Sequence, residues 1–260
     1  MSYRTLTAPL FDLRVVDDPS TAQHAVAEEI ARLLEREAGR EEGLVLGLAT
    51  GSTMVGVYDE LARRHAAGGA TFGRARAVLL DEYRGLPADH PQRFANWIRG
   101  ALLDRVDLPA EQLEVPPADA PGAELEAACS AFDRRLRALG GVDLQLLGLG
   151  RNGHVAFNEP GSPLDSTTRL VRLAESSREA NSAAFGSLDA TPTSAVTQGL
   201  ATIRAARRVR LLAFGASKRD ALARLLELHR FDPDRPASAL GGHQDLEVWV
   251  DEAALGGNGG

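Results

Sequence analysis

Short apolar runs alternate with longer amphipathic stretches along most of the chain. A run at 13–16 leads into a turn at 17–20. There Ser20 or Thr21 is placed to cap a helix reaching residue 36, with Ala25, Ile30, Leu33 and Leu34 on its apolar side. A strand at 44–48 ends in Ala49-Thr50-Gly51-Ser52-Thr53, after which Val55, Tyr58, Leu61 and Ala62 recur at helical spacing. The unit then repeats in type. Strand 75–80 runs into Asp81-Glu82-Tyr83 ahead of a helix at 91–104, and a helix at 123–139 leads to strand 143–147. A Pro- and Ala-rich surface connection lies between them at 115–122. Residues 161–191 are polar and without a clean period; 193–205 reads as helix, 209–214 as strand, 217–228 as helix and 247–250 as a last strand. The glycine-rich tail at 256–260 is expected to be disordered.

This alternation predicts an α/β fold: a single-domain, doubly wound, mostly parallel Rossmann-like sheet over residues 1–255, with helices on both faces. Such sheets bind ligands beyond the carboxyl ends of their strands. Four polar or glycine-rich segments fall there, at 50–53, 81–83, 148–160 and 215–218. In the first, a glycine and a helix start suit a phosphate, although a merely capped strand-to-helix turn has the same composition. It is neither a nucleotide P-loop nor a dinucleotide turn. In the second, Asp81 and Glu82 point to opposite sides of an extended chain, so only one faces the rim. A partly desolvated carboxylate there can take a proton from carbon beside a carbonyl; the same acids can also cap a helix or hold a cation. In the third, His154 lies in a glycine-rich loop and Glu159 follows five residues later, an acid/base pair. His24, His65, His90, His229 and His243 lack such a setting and are read as surface or structural residues. No histidine or cysteine spacing fits a zinc site.

Composition narrows the function classes. With 36 acidic and 29 basic side chains the net charge is −7, which argues against a broad nucleic-acid or anionic-membrane surface. Cys129 is alone, so no intrachain disulfide forms, and its helical setting predicts a buried structural thiol. There is no leader-like start and no apolar run of membrane-span length, so a soluble cytoplasmic protein is expected. Lys218 is the sole lysine; the other 28 basic residues are arginines.

Taken together, these residues resemble the glucosamine-6-phosphate deaminase/isomerase family, within the glucosamine-6-phosphate isomerase/6-phosphogluconolactonase superfamily. The resemblance is carried by Leu46-Gly-Leu-Ala-Thr-Gly-Ser-Thr53, Leu80-Asp-Glu-Tyr-Arg-Gly-Leu-Pro87 with His90-Pro91, and the stretch Gly148 through Pro160. Thr197-Gln-Gly-Leu-Ala-Thr-Ile203 and Gly215-Ala-Ser-Lys218 extend it. Phe157-Asn158-Glu159-Pro160 and Asp81-Glu82-Tyr83 resemble the deaminase branch rather than the lactonase branch.

The resemblance implies that Asp81 moves a proton between C2 and C1 of the open-chain sugar, that His154 opens the pyranose ring, and that Glu159 orients it. Asn152 belongs to the same set, at a position where the family usually has aspartate. Gly51, Ser52 and Thr53 with Lys218 resemble the phosphate cradle, and Thr50, Glu82, Gly150, Arg151 and Gly153 fall on the substrate side. The partner is a small hexosamine phosphate, with no cofactor and no metal, and 161–191 resembles a lid. Two departures stand out. The lid arginine is Ala183, a loss worth about 2 kcal/mol unless replaced; Arg93, Arg172 or Arg178 is expected to substitute. At the regulatory site of hexameric relatives Ser162 and Arg169 match, but Pro163 and Val171 replace a serine and a lysine, and the longer C-terminal segment is missing. The expectation is no activation by N-acetylglucosamine 6-phosphate and a homo-oligomer, if any, smaller than a hexamer.

Deamination of glucosamine 6-phosphate is the leading reading. Elimination of the C3 hydroxyl from an N-acetylated substrate comes next, ahead of galactosamine 6-phosphate isomerisation and lactone hydrolysis. A non-catalytic sugar-phosphate sensor is the alternative from another class, and intact Asp81, His154 and Glu159 weigh against it.

Overall fold

The computed structural model describes residues 2–257. In chain order its strands are β1 (Arg4–Leu6), β2 (Leu13–Val16), β3 (Val45–Leu48), β4 (Arg76–Leu79), β5 (Asp81–Tyr83) and β6 (Leu113–Glu114). They continue as β7 (Leu144–Gly148), β8 (Arg169–Arg172), β9 (Ser194–Thr197), β10 (Val209–Ala213) and β11 (Leu246–Asp251). The α-helices are α1 (Pro19–Glu37), α2 (Ser52–Ala66), α3 (Phe94–Ala101), α4 (Leu125–Ala138), α5 (Glu175–Phe185), α6 (Leu200–Arg204), α7 (Arg219–Leu226) and α8 (Glu252–Leu255).

The large sheet has the order β1-β2-β11-β10-β7-β3-β4-β6, parallel except for the β1/β2 pair. From β3 the chain moves outward through β4 to β6. It then returns to the other side of β3 as β7 and moves outward again through β10 to β11. Right-handed crossovers put the helices of these two runs on opposite faces. Every residue of β3 and β10 is buried, as in a strand covered on both sides, Arg210 of β10 being paired with Glu29 at 2.6 Å. The reversal between β3 and β7 is where helices leave in opposite directions and a crevice opens beyond the strand ends. One core cluster joins buried residues from Leu13 to Ala254.

Several elements differ from the sequence expectation. Helix α1 is capped by Asp18, whose carboxylate accepts from the Ser20 N–H at 2.9 Å, because Pro19 supplies a preset first helical residue. The region 193–205, expected as one helix, is strand β9 followed by the short α6. Ala195, Val196 and Thr197 are wholly buried in a second sheet, antiparallel, of order β5-β9-β8, where pairing overrides helical spacing. That sheet and α5 also give structure to 161–191. The 115–122 connection is not purely superficial, since Ala118 packs with Leu125, Cys129 and Val196. Burial raises the Cys129 thiol pKa, in keeping with a structural cysteine. Gly256, expected to open a disordered tail, instead closes α8 in an ordered turn; residues 258–260 lie outside the described residues. Among the described residues no helix is long and apolar enough to cross a membrane.

Candidate active site

A cavity of about 800 Å³ opens at the carboxyl ends of β3, β7 and β10, against β5 and α5. A smaller one, about 210 Å³, sits at the amino ends of β3 and β4 and gathers no acid/base pair.

One side of the large cavity is built for an anion. Gly51 turns β3 into α2 with φ 105° and ψ 163°, backbone space that essentially only glycine occupies. It brings the start of α2 to the cavity, and no side chain caps that helix end. Thr50, Ser52 and Thr53 line the same wall. The Tyr58 hydroxyl, buried in α2, donates to the Ala49 carbonyl at 2.6 Å and fixes the strand end from behind. Lys218, in the turn after β10, donates from Nζ to the Leu149 carbonyl at 2.7 Å. Burial and then the Arg151 charge lower its pKa.

The other side carries acid/base groups. Asp81 begins β5 and lines the cavity at 8% exposure. Burial first, then the charge of Glu82, pushes its pKa well above the ordinary carboxylate value. Glu82 points the opposite way, as alternation along a strand requires. Fully buried, it accepts from the backbone N–H groups of Tyr83 (2.9 Å), Phe94 (3.0 Å) and Ala95 (3.0 Å), so it caps α3 rather than meeting a ligand. Its own pKa is raised by burial, which outweighs those three bonds.

The histidine is set by a relay. Asn152 Nδ2 donates to Glu159 Oε2 at 2.8 Å. An ionised carboxylate only accepts, so the amide nitrogen must face it and the amide oxygen must face His154. That oxygen accepts from the His154 backbone N–H (3.1 Å) and lies 2.7 Å from Nδ1, so the proton belongs on Nδ1 and Nε2 carries the free lone pair. Glu159 Oε2 itself is 3.4 Å from Nδ1. Burial opposes ionisation of Glu159, but the hydrogen bond and charge of His154, helped by Ser177 and Asn152, hold its pKa down to about 2. The imidazole rests on Gly150, where a Cβ would lie 2.3 Å from the ring. Ala156, also lining the cavity, is the one non-glycine residue with positive φ (50°) among those described.

Asp81, Thr50, Gly51, Ser52, Thr53, Gly150, Arg151, Asn152, His154 and Lys218 thus line one cavity. Glu159 stands behind His154, and Gly153 is buried in the turn, its N–H donating to the Gly150 carbonyl at 3.0 Å. The substitutes expected for the lid arginine are elsewhere. Arg93 is held by Asp119 (3.1 and 2.6 Å) and the Leu86 carbonyl (3.2 Å). Arg178 donates to the Leu188 and Thr191 carbonyls at 2.6 and 3.3 Å, and Arg172 is exposed on β8. None of the three lines the cavity.

Two features are absent from the sequence reading. Tyr83 packs against Phe94, Phe157 and Phe185 (centroids 4.7, 5.4 and 5.4 Å), joining α5 to the site floor, and His90 stacks on Phe185. Ser177 of α5, 4% exposed, brings Oγ to 3.5 Å from His154 Nδ1. The aromatic positions lie beside the acid motifs, but nothing in a polar, aperiodic stretch marks Ser177. Among the described residues no group of three or more His, Cys, Asp or Glu side chains could hold a metal.

Residues 17–249 match the family model for glucosamine-6-phosphate isomerases/6-phosphogluconolactonase. The chain belongs to this family. It is 46% identical to a glucosamine-6-phosphate deaminase of Beutenbergia cavernae over 92% of this chain and 90% of the relative. A Mycolicibacterium smegmatis protein of the same name is 44% identical with the same coverage. A solved structure described as a monomeric glucosamine-6-phosphate deaminase superposes with a TM-score of 0.86 at 36% identity, over 92% of this chain and 96% of that one. A 6-phosphogluconolactonase of Thermotoga maritima, 24% identical over 91% of this chain and 97% of its own, shares the fold with a TM-score of 0.67.

Proposed function

We propose that this chain converts glucosamine 6-phosphate to fructose 6-phosphate and ammonia. The observation that carries the reading is one cavity holding a desolvated carboxylate, a histidine of fixed tautomer, a lysine and an uncapped helix start. His154, through Nε2, takes the O1 proton and returns it to O5, opening the ring. Asp81 then removes the C2 proton while O1 takes up a proton, giving an enolamine, and delivers the C2 proton to C1 as the nitrogen gives up a proton, leaving the C2 imine with a hydroxyl at C1. Water adds at C2, and expulsion of ammonia leaves the ketose. The raised pKa of Asp81 suits it to a weakly acidic C–H, since a stronger base is a better proton acceptor. The phosphate sits on Ser52, Thr53, the start of α2 and Lys218. Segment 161–191, with α5 against the cavity, serves as the lid, and residues 1–255 work as one domain. A phosphorylated substrate favours a cytoplasmic setting, and the 36% identical relative described as monomeric favours an assembly below a hexamer.

The test is incubation with glucosamine 6-phosphate and with its N-acetyl form, followed by assays for ammonia, ketose and ultraviolet-absorbing product. Ammonia and ketose from the amino sugar are expected, and Asp81→Asn should abolish both. An ultraviolet-absorbing product from the N-acetyl sugar alone would replace deamination with dehydration. Binding without turnover would make the protein a sensor.

A further inference from the structure

The cavity has a cation that the proposed mechanism leaves unused. On the α5 side its walls are Ser176, Glu179, Ala180, Asn181 and Ala184, with no positive charge. The one arginine of that helix, Arg178, is turned away onto two carbonyls, and position 183 is alanine. Arg151, in the loop after β7, lines the cavity, exposed, and makes no hydrogen bond or ion pair with any described residue. The Lys218 ammonium is pinned at 2.7 Å to the carbonyl of Leu149, two residues before it. Two cations from different loops therefore meet at the 149–151 segment, in a cavity that the start of α2 also lines, with no carboxylate paired to either among the described residues. Like charges held together cost free energy until an anion bridges them, and the Arg151 charge already disfavours the ammonium form of Lys218.

We infer that Arg151 is the second phosphate cation of this site, taking the part that the lid does not supply. Its ligand class is a phosphate monoester, dianionic near neutral pH, held by the guanidinium fork on one side and Lys218 with the α2 N–H groups on the other. The seat then lies wholly on the loops after β3, β7 and β10, so phosphate binding does not wait for α5. This rests on the proposed reading only in making the ester part of the substrate.

Calorimetric titration with inorganic phosphate and with glucitol 6-phosphate, which has no carbonyl to react, tests it on the wild type, Arg151→Met and Arg151→Lys. Arg151→Met should weaken both probes by roughly 10- to 100-fold, the loss of a charge-assisted contact. Arg151→Lys should recover part of it, keeping the charge without the fork. In turnover the loss should fall on KM more than on kcat, and the thermal midpoint should hold, since the side chain has no partner in the fold. Binding by Arg151→Met within twofold of wild type, or no binding of either probe by the wild type, overturns the inference. Arg151-dependent phosphate binding without glucosamine 6-phosphate turnover would instead sink the proposed function and leave the inference standing.

Discussion

Replacing Gly150 by alanine should disable the histidine while sparing the fold. The added methyl would stand 2.3 Å from Cε1 and 2.4 Å from Cδ2 and Nδ1 of His154. Ordinary contacts begin near roughly 3.5 Å, so the ring must recede by about 1 Å. Gly150 is not among the residues with positive φ, and the His154 side chain is 21% exposed, so the ring can yield toward the cavity at small cost in stability. Receding breaks the 2.7 Å contact between Nδ1 and Asn152 and frees the tautomer. A displacement of that size costs on the order of 100-fold in kcat. Ammonia release at saturating glucosamine 6-phosphate measures it, with the thermal midpoint as the fold control. If the effect runs through the imidazole, Gly150→Ala should be silent in a His154→Ala background. Wild-type kcat in the single variant, or an additive loss in the double one, would refute the argument.

Three further outcomes follow from the same geometry. Asp81→Asn should be inactive yet more stable than wild type at pH 8. A carboxyl whose folded pKa is raised stabilises fully only below its unfolded value near 3.9 and loses that contribution as pH rises through the folded value; the gap in melting temperature should close toward pH 4. Glu82→Gln should lower stability by about 2 kcal/mol in urea unfolding, because an amide cannot accept all three N–H bonds now made to Glu82. By removing the neighbouring charge it should also move the acid limb of activity to lower pH; an unmoved limb would exclude Asp81 as the group that sets it. Saturation with glucosamine 6-phosphate should be hyperbolic and unaffected by N-acetylglucosamine 6-phosphate, since Arg169 is engaged by Asn158 (2.9 Å) and Ser162 (3.1 Å) and Val171 offers no charge. A sigmoidal curve relieved by that ligand would contradict this.

The parallel strands were legible because burial on both faces leaves short, mainly apolar runs, unbroken in Val45–Leu48 and interrupted only by Gln145 in Leu144–Gly148 and by Arg210 in Val209–Ala213. The antiparallel sheet was not, because strands of three or four residues such as Asp81–Tyr83 and Ser194–Thr197 are too short to show a period. The split between Asp81 and Glu82 followed from strand alternation alone. Which arginine is free for a ligand did not, because that depends on distant partners. Arg93 is claimed by Asp119, 26 residues further on, and Arg178 by carbonyls beyond its own helix. Arg151 becomes distinguishable only once Arg93 and Arg178 are seen to be occupied and Arg172 to lie off the cavity.

The solitary lysine has a consequence for covalent chemistry. Acylating reagents attack neutral amines, and in this chain they would find one side-chain target besides the amino terminus. Burial and Arg151 enlarge the neutral fraction of that target. An amine-reactive fluorophore would therefore mark the cavity wall at Lys218 as its single side-chain site, apart from the amino terminus, and the extent to which phosphate esters slow labelling at Lys218 would read occupancy of the cavity without any turnover.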